Sequence, residues 1–182
     1  MRSTEVYRVL NARIGPWCKA AGFRRTKGGM LGWVRPQDAL QLVFWFQCSR
    51  HGWDPYAGSQ FTLEFQLADH PEPGRGRSRK RFFGLLTAEE REALRAHQNQ
   101  VIAGLTRPAT THWSEQLDAR ARGWYLGQFE SVKEPYGAQQ DVWLRYGGEA
   151  DVIRWADFLL PCLPRMLVEF ETRMADQAKR GA

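Results

Sequence analysis

Residues 40–48 read LQLVFWFQC and residues 61–68 read FTLEFQLA. Side chains of an extended chain alternate between two faces, so Leu40, Leu42, Phe44, Phe46 and Cys48 share one side, opposite Gln41, Val43, Trp45, Gln47 and Ser49. Phe61, Leu63, Phe65 and Leu67 alternate in the same way against Thr62, Glu64 and Gln66. Two such strands separated by the turn-rich segment Arg50–Ser59 are predicted to pair antiparallel, with one apolar sheet face and one largely polar face.

Upstream, Val6, Leu10, Ile14, Trp17 and Ala21 recur at helical spacing, with a kink or fresh start expected at Gly15 and Pro16 and a C-terminal cap at Gly22. Strand periodicity begins at Phe23, with turns at Lys27–Gly29 and Pro36–Asp38. Downstream, Ala68–Lys80 is rich in Pro, Gly and Arg and reads as a long surface loop. Thr87 and Glu90 have capping-box spacing ahead of a helix running to about Leu105. Pro108–Tyr136 carries the weakest pattern, a short helix around Glu115–Arg122 followed by an extended piece. Asp141–Tyr146 alternates as a further strand, ended by Gly147 and Gly148. Val152, Trp155, Ala156 and Leu159 mark a helix that Pro161 and Pro164 should break, after which Leu167, Phe170 and Met174 continue an apolar stripe. The arrangement with fewest unpaired surfaces is an α+β two-layer sandwich, an antiparallel sheet of four to five strands with helices packed on one face, residues 1–182 forming a single domain.

Hydrophobic residues at 43% and charged residues at 25% are ordinary globular usage, which excludes fibrous and wholly disordered classes. No stretch approaches the ~20 apolar residues of a membrane span, and Met1–Leu10 lacks the apolar run of a secretory signal. Cys18, Cys48 and Cys162 are far apart and odd in number, the usage of reduced, buried thiols in a cytoplasmic protein. The net charge of +6 is local: Gly74–Arg81 reads GRGRSRKR, and without its five cations the chain is close to neutral. Lys27, Gly28 and Gly29 lack the spacing of a phosphate-binding loop.

Several elements, in chain order, resemble a bacterial domain-of-unknown-function family, the one numbered 4304: PWCKAAGFRR, GWVRP, the strand ending FQCSRHGW, FTLEFQLA and DVIRWADFLLPCLPRMLVEFE. Gly22, Phe23, Phe46, Gln47, Trp155, Leu160 and Pro161 stand where that family has its helix exit, its Phe-Gln strand end and its late Trp and Leu-Pro pair. The resemblance implies a bacterial origin and an α+β fold, and brings no established activity or catalytic residues.

Candidate sites cluster in two places. The segment CSRHGWDPY, 48–56, gathers a thiol, an imidazole, a carboxylate and two large aromatic rings. A metal there would require Cys48 and His51 with His70 or Asp54, but Cys48 falls in register with core-facing residues, so no metal or cofactor is expected. His51 and Asp54 could orient one another as an acid–base pair, the basis of a hydrolase reading, although no nucleophile or oxyanion site accompanies them. Trp53 and Tyr56 suit a recognition surface, unless they fold back onto Trp45 to shield the second sheet face. The second place is the basic run, where Arg75, Arg77, Arg79, Lys80 and Arg81 could neutralise phosphates while Phe82 and Phe83 stack on bases. Glu64, Glu130 and Glu134 receive no role. Without a nucleotide loop, metal cluster or catalytic triad, the expectation is a non-catalytic bacterial protein-binding module, a toxin neutraliser or accessory factor; nucleic-acid or anion binding through the basic run is the alternative.

Overall fold

A computed structural model describes residues 1–76, 78–108, 118–137 and 140–181. Among the described residues the sheet has six strands: β1 (Arg24–Arg25), β2 (Leu31–Gln37), β3 (Leu40–Cys48), β4 (Ser59–Ala68), β5 (Ser78–Arg81) and β6 (Leu144–Tyr146). All pair antiparallel, in the order β1-β2-β3-β4, and the outer edge of β4 is divided between β5, at Glu64–Leu67, and β6, at Ser59–Phe61. The expected β3–β4 pairing is present, with Phe44 opposite Phe65, Phe46 opposite Leu63 and Cys48 opposite Phe61. The α+β antiparallel fold read from the sequence is the fold observed.

The helices are α1 (Ser3–Ala20), α2 (Ala88–Gly104), α3 (Ala119–Leu126) and α4 (Glu149–Gly181). One continuous core joins Val6, Leu10 and Ile14 of α1, Leu94 and Val101 of α2 and Trp155, Leu159, Leu163 and Phe170 of α4 to the apolar sheet face. Ion pairs Arg8–Glu149 and Arg13–Asp157 join α1 and the first half of α4, which run in the same direction. Short α3 buries no residue and stands apart from this layer.

Local signals act as expected at two helix ends. Phe23 N–H donates to the Cys18 carbonyl and Gly22 N–H to the Lys19 carbonyl, the paired bonds of a left-handed helix exit with Gly22 at φ 79°. Thr87 and Glu90 form the capping box, and Glu90 also holds the Arg165 guanidinium of α4, which donates to the Leu85 carbonyl.

Elsewhere the structure corrects the sequence reading. Pro161 and Pro164 do not break the last helix: α4 runs through them, and α1 continues through Pro16 without a fresh start. An interior proline costs ~3 kcal/mol. Beyond Pro164, however, α4 buries Met166, Leu167, Phe170 and Met174 against the core, at about 1.5–3 kcal/mol per side chain, which outweighs two such penalties.

The second sheet face is not a solvated polar one: Val34, Val43 and Trp45 form a small buried cluster, beside buried Thr62, Glu64 and Gln66. The expected loop Ala68–Lys80 is in part strand β5, and its remainder is clamped by Gln66, whose amide donates to the Glu72 carbonyl and accepts from Gly74 N–H and Gly76 N–H. A Cβ on Gly76 would stand 2.9 Å from Gln66 Cγ, so the glycine permits this close approach. The helix expected around Glu115–Arg122 begins at Ala119; residues 115–117 lie outside the described residues.

Candidate functional site at the hairpin tip

The β3–β4 connection is a tight structure organised by Asp54. Asp54 and Gly58 exchange both backbone hydrogen bonds, at 2.8 and 2.9 Å. Asp54 Oδ1 accepts from Tyr56 N–H at 2.8 Å, from Ala57 N–H at 2.7 Å and from the Tyr125 hydroxyl at 2.9 Å. The first two bonds make an Asx turn; the third pins α3 to the tip. Burial, then this carboxylate, pushes the Tyr125 phenol up.

Gly58 has φ 67°, and a Cβ there would stand 2.1 Å from the Tyr146 carbonyl oxygen, so a side chain at this position would collide with β6.

Two clefts flank the tip, and Ser49, Gly52 and Ser59 line both. One, of about 650 Å³, has Trp53 among its walls, together with Met1, Cys48 and Tyr146. Trp53 is therefore on the helix side of the sheet and not folded onto Trp45; it is 41% exposed. The other, of about 230 Å³, lies between the tip and α3, with His51, Asp54, Trp124, Tyr125 and Arg145 around it. Trp124 is 61% exposed, and its ring centroid is 6.4 Å from that of His51. Tyr56 is half-buried.

Arg145, on β6, alternates with core-facing Leu144 and Tyr146 and so points away from the core. Among the described residues its guanidinium has a single hydrogen-bond acceptor, the Gln128 carbonyl, and no carboxylate partner. Burial pulls its pKa below the ordinary guanidinium range, partly opposed by nearby Tyr136. The strand backbone beside it is held by two side chains: buried Gln98 of α2 donates to the Trp143 carbonyl and accepts from Arg145 N–H, and the Trp155 indole donates to the Arg145 carbonyl at 2.6 Å.

The geometry gives the sequence-derived candidates different fates. His51 and Asp54 lie on one tip, but Asp54 Oδ1 is engaged by two amides and a phenol, and the His51 bond to Ser49 Oγ, at 3.3 Å, is from its backbone N–H. His70 sits in the following loop, accepting from Glu72 N–H. No group of three or more His, Cys, Asp or Glu residues is placed to hold a metal among the described residues. Burial raises the thiols, Cys48 to about 11 and Cys18 and Cys162 to about 12, so none is a thiolate nucleophile near neutral pH.

The basic run is largely neutralised: Arg75 pairs with Glu72 at 3.0 Å, Arg79 and Arg81 flank buried Glu64 at 3.9 and 3.5 Å, and Arg81 also pairs with Asp141. Lys80 has no ion pair among the described residues, and Arg77 lies outside them. Phe82 and Phe83 are buried in the core, unavailable for stacking on bases. Sequence reasoning missed Trp124, Tyr125 and Arg145; the adjacent rings of Trp124 and Tyr125 in a stretch without clear periodicity were the available signal.

No family model, curated protein or solved structure matches this chain. Among the described residues no helix is long and apolar enough to cross a membrane.

Proposed function

We propose that the protein is a non-catalytic protein-binding module whose recognition surface is the hairpin tip together with α3. The observation that carries this reading is the pair Trp53 and Trp124, two of the four exposed large hydrophobic side chains among the described residues, placed on either side of one tip. Exposed tryptophans on a rigid loop are the side chains most enriched at interface centres. Asp54 supplies the rigidity, and the same three hydrogen bonds argue against a hydrolase built on His51 and Asp54. Neutralising a toxin and serving as an accessory factor are roles such a module fills. The proposal of membership in the family numbered 4304 is compatible with it and adds no chemistry.

The test is to immobilise the wild-type protein and a Trp53→Ala/Trp124→Ala variant and challenge both with extract of the source organism. A stoichiometric protein held by the wild type and lost from the folded variant is expected. The same proteins held by both forms would remove the tip from the interface. Nucleic acid released from both forms by moderate salt would favour the basic run instead.

A further inference from the structure

The cleft between the hairpin tip and α3 has a feature that protein docking on its rim does not use. A guanidinium in a partly desolvated position is ordinarily met by a carboxylate, because desolvating a cation without a counter-charge is costly. Arg145 has instead one carbonyl, from Gln128, which leaves most of its five N–H donors unassigned. The nearest basic neighbour on the sheet, Arg81, is by contrast paired with both Glu64 and Asp141. The same cleft has Gln60 and Gln128 as neutral polar walls and the rings of Trp124 and His51 as flat ones.

We propose that this cleft binds a small carboxylate carrying a flat, apolar body, with Arg145 taking the carboxylate and the Trp124 and His51 rings covering the body. Size agrees with that class. An apolar cavity of about 150 Å³ holds a benzene ring, so about 230 Å³ is room enough for an aromatic acid. The guanidinium fork matches a carboxylate in two parallel hydrogen bonds, and the exposed Trp124 gains a stacking partner. The proposal shares Trp124 with the protein-partner reading and differs from it in Arg145, so loss of benzoate binding in Arg145→Gln tests this proposal separately from that reading.

Sodium benzoate, sodium acetate and inorganic phosphate are titrated at constant ionic strength into ¹⁵N-labelled full-length protein, following the Arg145 Nε–H and Trp124 indole N–H resonances. Benzoate is expected to move both signals saturably. Arg145→Gln should weaken benzoate by about tenfold or more, the equivalent of ~1.4 kcal/mol. Trp124→Ala, at an exposed position, should weaken benzoate while leaving acetate unchanged. Arg145→Lys retains the charge but not the fork, and is expected to bind benzoate less well than the wild type; it also serves if Arg145→Gln fails to fold. Absence of a saturable benzoate response would overturn the proposal. So would phosphate binding as well as benzoate with no effect of Trp124→Ala, which would reveal a plain oxyanion site.

Discussion

Replacing Asp54 with alanine removes one oxygen that accepts three hydrogen bonds, from Tyr56 N–H, Ala57 N–H and the Tyr125 hydroxyl. Bonds to an ionised acceptor contribute about 1.5–3 kcal/mol each in favourable settings. Asp54 is only half-buried, and the freed amides can turn to water, so the lower end applies and part of the local turn survives in the unfolded chain. A net loss of about 2–3 kcal/mol follows, or roughly 5–10 °C in Tm for a chain of this size. Urea unfolding should show the midpoint falling with the slope m unchanged. Asp54→Asn keeps one acceptor oxygen and should recover about half of the loss. Tyr125→Phe alone should cost ~1 kcal/mol, and a cycle with Asp54→Ala should show coupling of similar size. If Asp54→Ala stays within ~0.5 kcal/mol of the wild type, Asp54 does not organise the tip, and its availability for other chemistry reopens.

Two further outcomes test separate parts of the fold. Gly58→Ala sets a Cβ against the Tyr146 carbonyl and should push β6 from β4, lowering stability by at least ~3 kcal/mol in thermal denaturation; an unchanged Tm would show that the turn relaxes freely. His97 packs between Trp155 and Phe158, its Nδ1 has no hydrogen-bond partner among the described residues, and its pKa is lowered by burial and then by Arg154. The unfolded chain therefore binds the proton more readily than the folded one, so stability is full above the ordinary value of 6.5 and declines as pH falls through it. His97→Gln should flatten that decline in unfolding midpoints measured between about pH 7 and 5; an unaltered slope would place the responsible group elsewhere.

What the sequence disclosed and what it hid divide along physical lines. The β3–β4 pairing was legible because Phe44, Phe46, Leu63 and Phe65 alternate with period two on a buried face, where a one-residue slip would expose every ring. The α2 start was legible because capping is local, between residues three apart. Pro161 and Pro164 misled because a proline penalty is local while the burial that offsets it comes from the sheet and α1. Strand β5, Ser78–Arg81, was hidden because it joins the sheet through its backbone and carries no apolar alternation. Of the site, the tip was visible as a cluster of chemistry in 48–56, but Asp54 was read as half of an acid–base pair and not as the turn former it is. The partnership with Tyr125 was not visible, because it spans 71 positions of sequence and rests on a helix with almost no periodic signal, and Arg145 reaches the same cleft from β6.

The divided outer edge of β4 has a consequence for how the protein is made. Residues 78–81 cover one half as soon as the first five strands emerge, but the half at Ser59–Phe61 waits for residues 144–146. At synthesis rates of about 5–20 residues per second, the intervening roughly 60 residues leave those backbone groups uncovered for several seconds. Phe61 and Leu63 stand at that open margin, so the nascent chain presents a short apolar edge able to pair with another copy. Closure by β6, sealed from outside by Gln98, turns a site of self-association into the inner wall of a cleft.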